Sequence, residues 1–251
     1  MSERQRPTTA MVLAAGMGQR MRPLTDTIPK PLVRLAGKPL IDHVLDRLAL
    51  AGIERAIVNV HYFPEQLEAH LRHRAHPKII ISDERDALLD TGGGVVRALP
   101  HLGPAPFVIH NSDSVWIEGL GNNLERLLSA FDGERMDSLM LLAPVATSIG
   151  YDGQGDFNMD SDGLLSRVAE GRIAPFVFTG VSIIPPWMFN GETERRFSLN
   201  HVWDRSIAAG RLYGIRLDGI WMHVGTPQSV DEAERTLGIA KTMGQQQRPS
   251  Q

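Results

Sequence analysis

The stretch from Met11 to Pro31, MVLAAGMGQRMRPLTDTIPKP, constrains the fold more than any other part of this chain. An apolar run ends in small residues, and a loop spaced by glycines then carries Arg20, Arg22 and Lys30. Small residues let backbone N–H groups approach a phosphate closely, and Arg and Lys supply donors for its oxygens. The prolines of the loop oppose helix formation. The stretch therefore predicts a strand that ends in a rigid cationic loop at the edge of a parallel sheet.

Two familiar phosphate loops are excluded by the spacing. A Walker loop closes on Gly-Lys-Ser/Thr, and Gly18-Gln19-Arg20 does not supply that ending. A dinucleotide fingerprint needs a third glycine three residues after the second, where this chain has Met21.

The composition describes one globular domain. The chain has 251 residues, 42% hydrophobic and 22% charged, with a formal net charge of −3 and no cysteine. This balance supplies no basic field for nucleic acid and no cationic run for a membrane surface, so we expect neither partner. The polar start SERQRPTTA and the missing cysteines predict a cytoplasmic protein. We expect a single domain over residues 1–240 and a disordered tail over residues 241–251.

The periodicity alternates between strands and helices. Apolar runs predict strands at Arg55 to Val60, Lys78 to Ser82 and Pro106 to His110. Helical spacing follows Pro39 and again follows Pro64. Strand, helix, strand, helix, strand predicts an α/β fold with a doubly wound, mostly parallel sheet.

Two further segments lie where ligands bind in such a sheet. Asp90-Thr91-Gly92-Gly93-Gly94 opens a predicted helix, either as exposed backbone N–H groups for a ligand or as a flexible turn. Asp113 follows the strand that ends at His110, where a carboxylate suits Mg²⁺; the alternative is a helix N-cap.

The loop resembles the opening motif of the sugar-1-phosphate nucleotidyltransferases, roughly L-A-A-G-x-G-x-R-x-x-P-L-T-x-x-x-P-K-P. The resemblance implies a Rossmann-like fold with a small β-rich sugar-binding insertion. It also implies that an NTP and a sugar-1-phosphate react to give an NDP-sugar and pyrophosphate. Arg20 would then hold the triphosphate, and Lys30 would reach the α-phosphate or the sugar phosphate. The residues that would frame the nucleotide are Leu13, Ala14, Ala15, Gly16, Gly18, Thr91 and Gly92.

The resemblance further implies a divalent metal, with Asp113 as one ligand. The family pattern near residue 223 is Trp-x-Asp-Val/Ile-Gly-Thr/Arg-Pro, and its Asp is the second metal carboxylate. This chain has His223 there. Mg²⁺ is the expected cofactor, and imidazole leaves Mn²⁺ open because it is a poor ligand for Mg²⁺. His223 is predicted to bind the metal, to contact a phosphate, or to leave the ion to Asp113.

The sugar side is expected to involve residues from the second half of the chain. By the resemblance these are Asp156, Glu170, Thr179 and Gly180. Many relatives carry Glu-Lys-Pro near Glu170, and that Lys is absent here. Arg167 and Arg172 are the candidates to replace it.

The segments Thr91-Gly92-Gly93 and Gly155-Asp156-Phe157 are similar to those of the N-acetylmuramate-1-phosphate uridylyltransferases of cell-wall recycling. UTP with N-acetylmuramate-1-phosphate is therefore the favoured substrate pair. A mannose-1-phosphate guanylyltransferase or a glucose-1-phosphate thymidylyltransferase is the alternative. From another class, His223 and the missing Lys suggest a nucleotide-sugar sensor without turnover. The sequence gives no reading of the oligomeric state.

Overall fold

The predicted alternation of strands and helices is present in the computed structural model, which describes residues 6–169 and 171–246. The strands are β1 (Thr9–Leu13), β2 (Arg34–Leu35), β3 (Lys38–Pro39), β4 (Arg55–Val60), β5 (Lys78–Asp83), β6 (Phe107–Asn111), β7 (Ser114–Glu118), β8 (Ser138–Pro144), β9 (Phe157–Met159), β10 (Leu165–Arg167), β11 (Phe176–Ile184), β12 (Leu212–Arg216) and β13 (Gly219–His223). The helices are α1 (Leu40–Leu50), α2 (Pro64–Leu71), α3 (Asp90–Leu102), α4 (Asn123–Ala130), α5 (Asn200–Ala208) and α6 (Pro227–Gln246).

The main sheet has the order β5-β4-β1-β6-β11-β8-β12. Strand β11 runs antiparallel to β6 and β8, and the remaining pairs along this path are parallel. The antiparallel pair β9–β10 joins the sheet where Phe157 meets Phe176 on β11. The predicted α/β fold with a mostly parallel sheet is confirmed, and β9–β10 is its small β-rich addition.

The strands bury side chains on both faces of the sheet. On β1, Val12 belongs to the core cluster under α1, α2 and α4, whereas Met11 belongs to the cluster under α3 and α5. Both side chains are fully buried. Because successive residues of a strand point to opposite faces, a strand covered on both sides reads as a continuous apolar run.

A ribbon of two strands lies beside the main sheet and was not predicted. Strand β7 pairs antiparallel with β13, and Ser114 stands opposite His223. A third core cluster connects this ribbon with α6, with the cationic loop and with the segment that follows that loop; Met21, Met222 and Val230 are members. Helix α6 extends to Gln246, past the boundary at residue 240 that the sequence suggested, and residues 247–251 lie outside the described part.

Most element boundaries match the sequence pattern. Strand β4 begins and ends where the apolar run predicts. Strand β2 begins only at Arg34, because Lys30–Leu32 form a 3₁₀ turn that has a proline in its first positions. No helix in the described residues combines the length and the apolar character needed to cross a bilayer.

Candidate active site

The carboxyl ends of the central parallel strands open into a cavity of about 400 Å³. Its wall is formed by the loop after β1, the ends of β4 and β6, and the segment between β5 and α3. The lining residues are Leu13, Ala14, Ala15, Gly16, Gly18, Gln19, Arg20, Lys30, Pro31, Asn59, Glu84, Leu88, Asp90, Thr91, Asn111, Ser112, Asp113 and Gly225. Parallel sheets bind ligands at this edge, where the chain leaves neighbouring strands in different directions.

The cationic loop is held in shape at Gly18. This residue has a φ of +63°, which side-chain-bearing residues rarely adopt. The hydroxyl of Thr25 donates to the Gly18 carbonyl at 2.8 Å. A Cβ at position 18 would lie 2.9 Å from Cγ2 of Thr25 and 3.1 Å from Cβ of Lys30. The absence of a side chain at Gly18 therefore lets this part of the loop pack closely against Thr25 and Lys30.

Lys30 and Asp113 form an ion pair at the floor of the cavity. The Nζ of Lys30 donates to Oδ2 of Asp113, and the two side chains are 14% and 23% exposed. Burial alone would raise the pKa of Asp113, but the charge and the hydrogen bond of Lys30, with help from His223, hold that pKa below its usual value. Asp113 is therefore ionised at neutral pH and faces the cavity with a cation already beside it.

The β7–β13 ribbon brings His223 to the same place. It pairs His223 with Ser114, the neighbour of Asp113, and the His223 N–H donates to the carbonyl of Ile149 at 2.8 Å. Burial lowers the pKa of His223; Asp113 opposes this, and Lys30 and Arg20 add to it. The imidazole is therefore neutral at neutral pH and has a lone pair available.

The carboxylate of Asp113 suits a divalent cation that is also bound by a polyphosphate ligand. No group of three or more His, Cys, Asp or Glu side chains able to hold a metal occurs within residues 6–169 and 171–246. Asp113 supplies a hard carboxylate oxygen, and its ion pair with Lys30 places a positive charge next to that oxygen. Mg²⁺ is typically held by one or two carboxylates, with phosphates and water completing its shell. The residues thus fit an ion held between Asp113 and a polyphosphate.

The triple glycine opens α3 as predicted, but its glycines face protein. A Cβ at Gly92 would collide with the ring of Phe197, and one at Gly93 would collide with the carbonyl of Arg195. The N–H of Gly92 donates to the Phe197 carbonyl at 2.8 Å. The glycines are buried, and they let the segment before α5 lie directly on the start of α3.

The cavity wall at this point is formed by Asp90 and Thr91. The hydroxyl of Thr91 accepts a hydrogen bond from the N–H of Leu199 at 2.9 Å. Gly92 lies one residue beyond the wall, so Thr91 is the member of the predicted pair that the structure places at the cavity.

Asp156, Thr179 and Gly180, which are expected on the sugar side, are not among the residues that line this cavity. A carboxylate oxygen of Asp156 accepts from the N–H of Phe178 at 2.8 Å, and the hydroxyl of Thr179 donates to the Leu141 carbonyl at 2.8 Å. Gly180, with a φ of +85°, packs against the side chain of Asn111. These contacts hold β11 against its neighbours. Glu170 lies outside the described residues.

Of the two arginines considered as replacements for the family Lys, Arg167 is committed elsewhere. Its guanidinium bonds Asp204 and Asn200 of α5, at 3.0 Å and 2.9 Å. It also lies over the ring of Phe157, 4.9 Å from the centroid. Arg172 is exposed.

The sequence pattern does not identify several of the residues that line the cavity, among them Asn59, Glu84, Leu88 and Asn111. Asn59 and Asn111 stand at or near the ends of β4 and β6, next to residues that the pattern assigns to buried strands. A buried amide in an apolar run needs a partner. That signal was available in the run RAIVNV.

The fold and the cavity define an α/β protein with a ligand site at the carboxyl edge of its sheet, lined by a cationic loop and an ionised carboxylate. Residues 9–151 match the sequence description of the family named Nucleotidyl transferase. The chain is 48% identical to the N-acetylmuramate alpha-1-phosphate uridylyltransferase of Caulobacter vibrioides, over 94% of this chain and 99% of that protein. It is 34% identical to the protein of the same name from Neisseria meningitidis serogroup B, over 92% of this chain and 99% of that one.

A solved structure of UDP-glucose pyrophosphorylase in complex with UDP-glucose has the same fold. Its TM-score is 0.74 at 16% identity, and the alignment covers 93% of this chain and 99% of that one. The chain belongs to the nucleotidyltransferase family, as the resemblance of its opening loop predicted.

Proposed function

We propose that this protein joins UTP and N-acetylmuramate 1-phosphate to give the UDP-sugar and pyrophosphate. The observation that carries the proposal is the 48% identity, across nearly the full length of both chains, to a protein named for that activity. The cavity supports it independently, because a cationic loop and an ionised carboxylate converge where a polyphosphate would lie.

The reaction needs charge control more than proton transfer. A phosphate monoester is largely dianionic at neutral pH, since its second pKa is about 6. One of its oxygens forms a bond to the α-phosphorus of UTP, the bond from that phosphorus to the bridging oxygen breaks, and pyrophosphate leaves with the electron pair. No proton has to move. The protein must hold two anions in line and stabilise the charge that develops between them.

The residues of the cavity divide this task by position. Arg20 is exposed and lines the cavity, and it would hold the triphosphate and the departing pyrophosphate. Lys30 lies deeper and would transfer its hydrogen bond from Asp113 to a phosphate oxygen when the substrates bind. Residues 13–16 and Thr91 would frame the nucleoside.

A divalent cation would be held by Asp113, with His223 as a nearby neutral donor. When bound, it would neutralise phosphate charge and polarise the reacting phosphate. We propose Mg²⁺ as the physiological ion because the carboxylate is a hard oxygen ligand, with Mn²⁺ as a functional substitute that accepts imidazole more readily.

We also propose that the protein works in the cytoplasm, in the recycling of cell-wall sugar.

The test is pyrophosphate release from purified protein with Mg²⁺ or Mn²⁺. UTP, GTP and dTTP are each combined with N-acetylmuramate 1-phosphate, mannose 1-phosphate and glucose 1-phosphate. We expect release with UTP and N-acetylmuramate 1-phosphate, and the UDP-sugar as the second product. Release confined to GTP with mannose 1-phosphate, or to dTTP with glucose 1-phosphate, would overturn the substrate assignment. UTP binding without release across the whole panel would favour a nucleotide-sugar sensor.

A further inference from the structure

Two segments that border the cavity, the loop after β1 and the segment between β5 and α3, are connected through strand β4 by a chain of buried hydrogen bonds. The N–H of Ala14 donates to Oδ1 of Asn59 at 2.6 Å, and Nδ2 of Asn59 donates to Oε1 of Glu84 at 2.7 Å. The N–H of Leu89 donates to Oε2 of Glu84 at 3.1 Å. We call these four residues the Asn59–Glu84 bridge.

The bridge runs across neighbouring strands. Asn59 is on β4, which lies between β1 and β5 in the sheet. Ala14 follows β1, and Glu84 follows β5. The bridge therefore fixes the distance from the loop after β1 to the segment that leads into α3, and both border the cavity.

Both carboxylate oxygens of Glu84 are engaged inside the protein. Its residue surface is 0% exposed and that of Asn59 is 3% exposed. Each carboxylate oxygen of Glu84 accepts one hydrogen bond, and Asn59 uses its oxygen on one side and its nitrogen on the other. A buried carboxylate is costly unless its oxygens are satisfied. Burial raises the pKa of Glu84, and the bonds from Asn59 and Leu89 oppose that rise.

The last glycine of the triple glycine belongs to the same arrangement. A Cβ at Gly94 would lie 2.7 Å from Oε1 of Glu84 and 2.9 Å from Nδ2 of Asn59. It would therefore press directly on the central hydrogen bond of the bridge. Helix α3 can approach the bridge closely only because position 94 has no side chain.

We propose that Asn59 and Glu84 are positioning residues for the nucleotide, acting through the backbone of Ala14 and through the segment that Leu89 begins. This inference rests on the proposed function, because it assigns the nucleotide to the space between those two walls. The direction of every hydrogen bond in the bridge is determined by its two ends. The backbone N–H of Ala14 needs an acceptor on Asn59, and the backbone N–H of Leu89 needs an acceptor on Glu84. The amide of Asn59 must then donate to the second carboxylate oxygen of Glu84.

This directionality provides a sharp test, because the polarity of the pair can be broken and then restored. In Glu84→Gln, the new amide N–H₂ must face another donor, at Leu89 or at Asn59. Rotation of the Asn59 amide would move that conflict to Ala14. In Asn59→Asp, two carboxylates face each other at the central bond.

The double variant Asn59→Asp/Glu84→Gln removes the conflict while conserving size and net charge. Asp at 59 accepts from Ala14 and from the amide of Gln at 84, and the Gln oxygen accepts from Leu89. Both ends of the bridge are then satisfied again, with the negative charge moved from one residue to the other.

The experiment measures UTP binding by calorimetry, KM for each substrate, kcat, and thermal denaturation of the four proteins. The unpaired donor in Glu84→Gln and the facing carboxylates in Asn59→Asp should each displace the backbone at Ala14 or Leu89. We expect each single variant to bind UTP about tenfold more weakly, while KM for the sugar phosphate changes less. The double variant should recover most of that loss. Glu54→Gln removes the same charge from an exposed position before β4 and should behave like the unaltered protein.

The outcomes separate this inference from the proposed function. Unaltered UTP binding in Glu84→Gln would overturn the positioning role. So would a double variant that binds UTP no more tightly than the single variant with the lower affinity. If a single variant does not fold, a double variant that folds but binds UTP weakly would overturn it as well. Absence of pyrophosphate release from the unaltered protein would instead count against the proposed function, since UTP binding tests the bridge without turnover.

Discussion

His110 should make the stability of this protein depend on pH in a way that one substitution removes. The side chain lies on β6, three residues before Asp113, and is completely buried. Its Nδ1 bonds the carbonyl of Asn111 at 2.8 Å, and its ring stacks on Trp116 with a centroid separation of 5.6 Å. Its Nε2 has no hydrogen-bond partner among the described residues. A second proton on this ring would therefore be buried without an acceptor.

The pKa of His110 is lowered to about 4, chiefly by burial; the Asn111 carbonyl and Asp113 oppose the change and Arg47 adds to it. In the unfolded chain a histidine titrates near 6.5. Between these values the unfolded chain binds a proton that the folded chain does not. Stability is therefore fully present above about pH 6.5 and falls as the pH drops toward 4. The gap corresponds to about 3 kcal/mol, of which about 2 kcal/mol is lost between pH 7 and pH 5.

The assay is urea denaturation of the unaltered protein and of His110→Phe at pH 7 and at pH 5. Phe keeps a stacking ring and removes the titrating nitrogen. We expect the loss of unfolding free energy between the two pH values to be smaller by about 2 kcal/mol in the variant. His73→Phe changes an exposed histidine and should retain the full loss. Equal losses in the unaltered protein and in His110→Phe would refute the reasoning.

Three further predictions concern the site and the start of α3. Lys30→Met should lower kcat on the order of 100-fold, because it removes a cation aimed at developing phosphate charge, and pyrophosphate release measures it. The fold should survive because Asp113 keeps solvent contact. His223→Asp should keep or raise Mg²⁺-supported turnover, since a carboxylate is the better Mg²⁺ ligand; activity with Mg²⁺ and with Mn²⁺ gives the comparison. Gly92→Ala should lower the free energy of unfolding by roughly 1–3 kcal/mol, because the added Cβ collides with a buried aromatic ring; urea denaturation measures it.

Each of these predictions has a control or a contradicting result. A near-native rate in Lys30→Met would remove that residue from the catalytic assignment. A collapse of turnover in His223→Asp with both metals would show that the imidazole has a role of its own. Gly121→Ala is the matched control for Gly92→Ala, because the nearest atom to its added Cβ is 3.6 Å away. Equal stability of the two alanine variants would contradict the packing argument.

The sequence pattern located the part of the cavity wall that follows β1, because the residues that form it are close together in the sequence. Residues 14–16 follow directly on strand β1, and the loop that comes next carries its own glycines and cations, so their arrangement depends on short-range geometry. Lys30 and Asp113, to which the sequence analysis assigned separate roles, form an ion pair in the structure. It follows from topology, since β1 and β6 are parallel neighbours and deliver their loops to the same edge.

The triple glycine shows where local reasoning stopped. A glycine is selected equally by a close ligand and by a close protein atom, and the sequence does not distinguish the two. In the structure, Gly92 and Gly93 make room for the segment before α5, and Gly94 makes room for Glu84. Thr179 and Asp156 show the same ambiguity, because a polar side chain near a pocket also serves to satisfy the backbone of a neighbouring strand.

By itself, then, the sequence determined the class of fold, the cationic loop and the edge of the sheet at which it acts, because hydrophobic periodicity and loop chemistry are properties of short segments. The tertiary structure alone decided which distant residues join that edge. The β7–β13 ribbon brings His223 beside Asp113, and the bridge through Asn59 ties Ala14 to Glu84. Such contacts depend on strand register and on the direction of buried hydrogen bonds, which are set only when the whole sheet has assembled.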